Sequence, residues 1–203
     1  MSISLQDIIL ERMINSNLGA FTASDFVDIA RHDAVRKALD RLENCGQIRR
    51  VLRGVYDKPR FNNRFKMFEP PRVESIAYAI ARQYNWYICP SGNFALNKLG
   101  LSTQVPAQYV FVSNGPYVSY LIEGTRLLFK HTTSREITSF SPITLLIIQA
   151  IKAIGRENIL LDDILHLRRV LSSKDKRILL EEGPKTSIWI YEVIKEICEV
   201  WYV

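Results

Sequence analysis

Apolar residues recur with helical spacing through the first part of the chain. Over residues 5–15 they return every three or four positions, and this spacing predicts a first helix. Thr22 and Asp25 have the spacing of a helix N-cap and its acidic partner, so a second, short helix is predicted to begin at Ala23. A third helix is predicted over residues 33–45. Its apolar stripe consists of Val35, Ala38, Leu39 and Leu42.

Two short strands are predicted to follow the third helix. Residues 48–51 and 55–56 flank a turn at Gly54 and have the composition of a small hairpin. Three helices followed by such a hairpin, or wing, outline a winged helix-turn-helix, a fold whose commonest use is to bind DNA. Residues 1–66 are therefore predicted to form a winged helix-turn-helix domain.

The pattern changes after Pro70 and Pro71, which disfavour a helix and mark the predicted domain boundary. We expect residues 70–203 to form a mixed α+β domain, so the chain as a whole is predicted to be an α+β protein. A small β-sheet is predicted at about 86–132, where strand-like segments are separated by turns that contain Gly and Pro. Helical apolar spacing then predicts a C-terminal helical section at about 141–200.

The composition is that of a globular protein with two modest domains, because 47% of the 203 residues are hydrophobic. No apolar run approaches the roughly 20 residues that span a bilayer, and the N-terminus lacks the basic and apolar pattern of a signal peptide. We therefore expect a cytoplasmic protein with no membrane partner. Cys45, Cys89 and Cys198 are expected to be reduced and buried, and no cysteine–histidine spacing predicts a zinc site.

The positive charge of the chain is concentrated in one region. The formal net charge is +6, and it divides into −3 for residues 1–30, +7 for residues 31–66 and +2 for residues 67–203. Such a cluster is the electrostatic footprint of a nucleic-acid site, although an anionic membrane surface would attract it too. No amphipathic helix with a wide apolar face accompanies the cluster, which argues against membrane binding.

Cations lie on the third helix and in the hairpin. At 100° per residue, Arg36, Lys37 and Arg41 project away from the apolar stripe; a charged face that is merely solvated is the alternative interpretation. Arginines within the small hairpin repel one another, and a polyanion would relieve that repulsion. The candidate DNA-binding residues are His32, Arg36, Lys37, Arg41, Arg49, Arg50, Arg53, Lys58 and Arg60.

These candidates would contact DNA in different ways. The leading turns of the third helix would enter the major groove, where Arg36 is suited to a bidentate contact with guanine. Arg41 and the hairpin arginines would contact phosphates or the adjacent minor groove. The segment from Lys58 to Lys66 would either extend this phosphate track or form a solvated linker.

The N-terminal half of the chain resembles the winged-helix antitoxin domain of AbiEi-type proteins. The resemblance is carried by FTASDF at residues 21–26, AVRKALDRL at residues 34–42 and RRVLRGVY at residues 49–56. CPSGNFAL at residues 89–96, with the segment through Gly100-Leu101-Ser102 to Val105-Pro106, is similar to the second domain of that family.

The resemblance implies a bacterial, cytoplasmic transcriptional autorepressor that is also the antitoxin of a type IV toxin–antitoxin pair. The toxin of such a pair is a nucleotidyltransferase-like protein, with which the antitoxin need not form a stable complex. The implied partner is double-stranded DNA of the chain's own promoter, bound by a monomer or a dimer. A solitary regulator without a toxin is equally compatible with the sequence.

Two other classes of function are alternatives to a DNA-binding regulator. A protein-interaction module would use the wing and the third helix to contact another protein, although interface cores tend to exclude lysine. A nucleic-acid-processing enzyme would need paired carboxylates, but no Asp-x-Asp follows the Ser91-Gly92 turn. The sequence also lacks a phosphate loop and other common catalytic motifs. We expect no enzyme activity, no cofactor and no metal.

Overall fold

The computed structural model of the protein describes residues 4–199 and has a mixed α+β fold. These residues divide into two compact units. The first unit comprises residues 4–86 with Tyr120–Leu127, and the second comprises Tyr87–Ser119 with residues 128–199. The first unit thus extends beyond the predicted domain boundary. The ends of the two predicted domains, residues 1–3 and 200–203, lie outside the described residues.

The first unit is built from helices and two small antiparallel sheets. Its elements are α1 (Leu5–Asn15), β1 (Phe21–Thr22), a 3-10 turn (Ala23–Phe26), α2 (His32–Asn44), β2 (Arg49–Leu52), β3 (Val55–Asp57), β4 (Phe61–Asn62), β5 (Met67–Phe68) and α3 (Val73–Tyr84). One sheet has the strand order β1-β3-β2, and the other consists of β4 and β5.

A single hydrophobic core holds α1, α2 and the three-stranded sheet together. The predicted apolar stripe of α2 is buried, and its Val35 and Leu39 are fully enclosed. Phe21 of β1 and Tyr56 of β3, which pair across the sheet, belong to the same core. Burial of a large aliphatic side chain contributes about 1.5–3 kcal/mol, so the stripe fixes which face of α2 is left to solvent.

The predicted second helix is a single 3-10 turn rather than an α-helix. It begins at Ala23 as the sequence indicates, because the Asp25 carboxylate accepts hydrogen bonds from the Thr22 backbone N–H (2.8 Å) and hydroxyl (3.3 Å). The turn ends after Phe26, and Arg31 already has the extended conformation of the α2 N-cap.

Helix α3 follows the predicted domain boundary in sequence but belongs to the first unit. Its Arg82 donates to the Asp25 carboxylate (Nε to Oδ1, 2.8 Å) and to the Ala20 carbonyl oxygen (2.9 Å). This ion pair ties α3 to the segment that carries the 3-10 turn. The β4–β5 hairpin, which precedes α3, occupies the segment that was predicted to be a linker or a phosphate track.

The remaining elements include the predicted strands and C-terminal helices. They are β6 (Ile88–Ser91), α4 (Asn93–Lys98), β7 (Gln108–Ser113), β8 (Val118–Ile122), β9 (Thr125–His131), α5 (Ser134–Thr138), α6 (Pro142–Ile154), α7 (Leu161–Val170), α8 (Ser173–Glu182) and α9 (Ile188–Ile197). A four-stranded sheet has the order β6-β7-β9-β8. Helices α6 to α9 share a second core around Ile151, Leu167 and Ile194. Across residues 4–199, every helix is too short or too polar to cross a lipid bilayer.

The three cysteines are free thiols in different surroundings. Cys89 is buried in β6, and Cys198 is half-buried at the end of α9. Cys45, by contrast, is exposed, so the expectation that all three are buried is wrong for this residue. Cys45 is the C-cap of α2 and follows the last residue of the buried stripe, Leu42, by three positions.

Candidate nucleic-acid interface

The solvent-facing side of α2 carries cations that the described part of the chain does not neutralise. Arg36, Lys37 and Arg41 are exposed, and within residues 4–199 none of them makes a side-chain hydrogen bond or ion pair. His32, the first residue of α2, is exposed as well. These side chains face solvent because the opposite side of the helix is buried. We call these four residues the α2 face.

Helix α2 also contains three acids, Asp33, Asp40 and Glu43, and the last two are paired with Arg50. Asp33 lies in the first turn of the helix, where a carboxylate is favoured by the positive end of the helix dipole. Asp40 is half-buried and accepts hydrogen bonds from Arg50 (3.1 Å) and from the Tyr56 hydroxyl (3.1 Å). The α2 face therefore keeps a surplus of positive charge.

The turn of the β2–β3 hairpin presents one further cation. Leu52 pairs with Val55, so only Arg53 and Gly54 form the turn. Gly54 has a φ of 79°, a conformation that side chains with a Cβ rarely adopt. Arg53 is exposed and, among the residues that the structure describes, has no polar partner. The hairpin is short and ends in a single free arginine.

Arg49 pairs with a buried acid. Its guanidinium donates two hydrogen bonds to the Asp57 carboxylate, at 2.9 Å from Nε and 2.6 Å from Nη2, and a third to the Glu69 carbonyl oxygen at 3.3 Å. Only 5% of Asp57 is exposed. The hydrogen bonds to Asp57 raise the pKa of Arg49, and burial of the guanidinium opposes them. Arg49 is therefore held within the protein by its own partners.

Arg50 connects the hairpin to α2. Its Nη2 donates to the Tyr56 hydroxyl (2.8 Å) as well as to Asp40, and its Nε lies 3.5 Å from the Glu43 carboxylate. The hydrogen bond to Tyr56 is the main cause of the raised pKa of Arg50. The repulsion expected among the hairpin arginines is thus relieved by the protein's own acids at two of the three positions.

Lys58 and Arg60 line a cavity of about 410 Å³ in the first unit, together with Arg49 and Arg72. No residue of α2 lines this cavity. The Arg60 guanidinium is paired with the Glu69 carboxylate, with 3.3 Å between Nε and Oε2. Lys58 has no polar side-chain partner within residues 4–199. These two cations therefore belong to a different part of the first unit from the α2 face.

The nine candidate DNA-binding residues differ in whether they have ion-pair partners within the protein. His32, Arg36, Lys37, Arg41 and Arg53 are exposed and unpaired within the described chain, whereas Arg49, Arg50 and Arg60 are held in ion pairs and Lys58 lines the cavity.

The sequence interpretation missed Arg31, which it placed in a polar break between helices. This arginine is the N-cap residue of α2, is exposed and has no side-chain partner among the described residues. Arg31 directly precedes His32, the first predicted DNA contact. This position in the sequence could have identified Arg31 as a further candidate contact.

The described residues contain no group of three His, Cys, Asp or Glu side chains that is suited to hold a metal ion. Two histidines have a ring nitrogen close to a backbone oxygen: His131 Nδ1 lies 2.8 Å from the Gly115 oxygen, and His166 Nε2 lies 2.9 Å from the Leu99 oxygen. These two side chains have structural hydrogen bonds.

The fold and the site define an α+β protein with an unpaired cationic helix face. A family model described as a family of unknown function (DUF6088) matches residues 9–179. The chain belongs to this family. No curated protein matches the sequence. Because the family description carries no function, a functional assignment has to be argued from the residues of the site.

Proposed function

We propose that the protein binds double-stranded DNA sequence-specifically through its first unit and acts as a transcriptional repressor. In this proposal the first unit is a winged helix-turn-helix, with α2 as the recognition helix and the β2–β3 hairpin as the wing. The proposal is supported by the order α1, β1, 3-10 turn, α2, β2, β3 and by the sheet order β1-β3-β2. This order agrees with a winged helix-turn-helix except at its second helix, where the chain has the 3-10 turn Ala23–Phe26.

The observation that carries the proposal is the unpaired positive charge on the α2 face. Lys37 and Arg41 are like charges four residues apart on the helix, a spacing that costs about 0.2–0.5 kcal/mol per pair, and no acid of the described chain forms an ion pair with Arg36, Lys37 or Arg41. A DNA backbone would supply that negative charge and release bound counterions. Arg49 and Arg50, which have a structural role, are in contrast paired with Asp57 and Asp40 of the same unit.

The position of each cation along α2 suggests its role on DNA. Arg36 lies in the first half of the helix, where recognition helices contact base edges, and its planar guanidinium matches two acceptors of guanine. Arg41 lies in the last turn and is assigned a phosphate. Arg53, at the tip of the hairpin, is assigned the backbone or the adjacent minor groove.

We further propose that the DNA is the chain's own promoter and that the chain is the antitoxin of a type IV pair. This part rests on the resemblance of residues 21–56 and 89–106 to AbiEi-type antitoxins. The partner would be a nucleotidyltransferase-like toxin encoded beside it, without a stable complex. Expression of the neighbouring gene should arrest growth, and co-expression of this chain should restore growth; persistent arrest would contradict the antitoxin assignment.

DNA binding is tested by fluorescence anisotropy with the upstream duplex and a random duplex, each titrated with salt. We expect Arg36→Ala to weaken binding to the upstream duplex by about 1–3 kcal/mol and to reduce the preference for it. Arg53→Ala should weaken both duplexes alike and lower the slope of log affinity against log salt by about one.

Arg156→Ala is the matched control, because Arg156 is an exposed arginine of the second unit with no side-chain partner among the described residues. It removes the same charge from the chain and should leave both affinities within about twofold of the original. The proposal fails if Arg36→Ala and Arg156→Ala have the same effect on the upstream duplex.

A further inference from the structure

The β4–β5 hairpin exposes several large apolar side chains close together. Phe61 is 50% exposed, Phe65 65%, Met67 60% and Phe68 61%. Four exposed apolar residues within eight positions are a concentration that marks a site of interaction more often than an isolated exposed residue does. We call residues 61–68 the aromatic hairpin.

The aromatic hairpin has a defined conformation. At its tip the Asn62 side-chain oxygen accepts hydrogen bonds from the backbone N–H groups of Arg64 (3.0 Å) and Phe65 (3.2 Å). Phe61 and Phe68 pair across the two strands with their rings edge to face, 5.3 Å between centroids. The Phe61 and Phe68 rings are therefore held against each other and the backbone at Phe65 is fixed, which lowers the entropic cost of binding a ligand.

The base of the hairpin is fixed to the three-stranded sheet. Glu69 donates its backbone N–H to the Arg60 carbonyl oxygen (2.8 Å), and its own carbonyl oxygen accepts a hydrogen bond from Arg49 (3.3 Å). The Glu69 carboxylate also pairs with the Arg60 guanidinium. Arg49, which is held by the buried Asp57, thus positions the aromatic hairpin relative to β2 and β3.

The charge of the aromatic hairpin indicates its partner. From residue 58 to residue 68 the chain has four cations and no acid. Arg64 and Lys66 flank Phe65 at the tip, and the Arg64 guanidinium lies 5.6 Å from the centre of the Phe65 ring. A second copy of the hairpin would bring the same cations together and is disfavoured. Aromatic rings interleaved with cations are the combination that binds unpaired bases and their phosphates.

We propose that the aromatic hairpin binds single-stranded nucleic acid by stacking Phe65 and Phe68 on unpaired bases, while Arg64 and Lys66 pair with the phosphates. The site uses no residue of the α2 face, so it goes beyond duplex binding by that helix. Stacking requires no base-specific hydrogen bond, so this site binds strands with little sequence preference.

The test uses the full chain and a fluorescein-labelled oligothymidine of about 20 nucleotides, which exceeds the site size of comparable strand-binding surfaces. We expect Phe65→Ala to weaken binding about tenfold, within the range found for loss of one base–aromatic stack. Phe65→Leu, which keeps an apolar side chain but removes the ring, should weaken it similarly, and Phe65→Trp should restore it. Arg64→Ala should lower the salt slope by about 0.7.

Two variants separate this site from its surroundings. Tyr117→Ala removes a ring that is 67% exposed in the second unit, and it should bind the oligothymidine like the unmodified chain. Arg36→Ala should also leave oligothymidine binding within about twofold, whereas Phe65→Ala should leave duplex binding unchanged. Failure of duplex binding alone would contradict the proposed function and leave this inference standing.

Three results would overturn the inference. Equal oligothymidine affinity of Phe65→Ala and the unmodified chain would exclude stacking. Equal losses for Phe65→Ala and Tyr117→Ala would show a non-specific effect. A dimer in sedimentation that Phe65→Ala dissociates would show that the hairpin binds a second copy of the chain. Circular dichroism checks that each variant is folded, and Phe65→Leu keeps the test valid if the alanine variant is not.

Discussion

The ion pair between Arg49 and Asp57 leads to a quantitative prediction about stability. Arg49→Met keeps most of the apolar stem but leaves the Asp57 carboxylate, which is 5% exposed, without its cation. Removing one partner of a buried ion pair costs about 3–5 kcal/mol. Because 25% of the Arg49 side chain is exposed, water replaces part of the lost interaction, and we expect a loss near the lower end, about 3 kcal/mol.

The assay is urea unfolding of the first unit followed by tryptophan fluorescence. The chain has three tryptophans; of the two that the structure describes, Trp86 belongs to the first unit and Trp189 to the second. Phenylalanine at positions 189 and 201 therefore leaves a fluorescence signal from this unit alone. The free energy of unfolding is taken from the midpoint and slope, and an unchanged slope shows that the unfolded surface is the same.

Two further variants test the physical cause. The double variant Arg49→Met with Asp57→Leu removes both charges and should recover at least half of the lost stability, because no buried carboxylate is left unpaired. Arg53→Met, four residues away in the exposed turn, should change stability by less than about 0.5 kcal/mol.

Stability and DNA affinity measured on the same two variants give the contradicting outcome. If Arg49→Met is as stable as Arg53→Met and loses DNA affinity to the same extent, Arg49 is a direct DNA contact and its pairing with Asp57 is incidental.

Two other predictions concern the second unit and the thiols. Burial opposes ionisation of Glu182, but hydrogen bonds from Thr144 and Ser141 outweigh it and lower its pKa below the ordinary 4.5; this stabilisation is present above pH 4.5 and is lost as the pH falls below it. Glu182→Gln should therefore destabilise the second unit near pH 7 but much less near pH 3. The measurement is urea unfolding in a chain with phenylalanine at position 86, and a loss of stability that does not depend on pH would contradict the prediction. Burial raises the pKa of Cys89 to about 12, whereas Cys45 is exposed. Brief treatment of the native protein with iodoacetamide should therefore label Cys45 and leave Cys89 unmodified, as measured by peptide mass spectrometry. Equal labelling of the two thiols would show that β6 opens readily.

The helices were largely predictable from sequence because each has its own apolar stripe. Helix α1 has the predicted ends, and α2 begins and ends one residue earlier than predicted. The two-residue strand β1 was not predictable, since so short a segment has no periodicity and is stabilised by pairing with β3. The aromatic hairpin was missed for a related reason: its apolar side chains are exposed, and its ends are held by Arg49 and Glu69 from outside the segment.

The α2 face was predictable because it lies opposite the buried stripe. The ion pairs of the hairpin arginines were not predictable, because they depend on a β-bulge in β2. Continuous pairing from Leu52 and Val55 would place Arg50 opposite Asp57, but the register shifts at Val51 and places Arg49 there instead. A one-residue shift of this kind changes the partner of every following side chain, and no feature of the sequence indicates it.

Ion pairs within the first unit change what the positive charge of residues 31–66 indicates. The eleven cations of residues 31–66 include Arg49, Arg50 and Arg60, whose carboxylate partners are Asp57, Glu123, Asp40, Glu43 and Glu69. These arginines contribute to function through geometry, since Arg50 joins the hairpin to α2 and Arg49 anchors the segment that follows it. Within residues 31–66, the cations that have no acidic partner among the described residues lie on or next to α2, in the turn of the β2–β3 hairpin and between residues 58 and 66. A count of unpaired charges therefore favours two separate anionic contacts, where a count of all charges indicated only one.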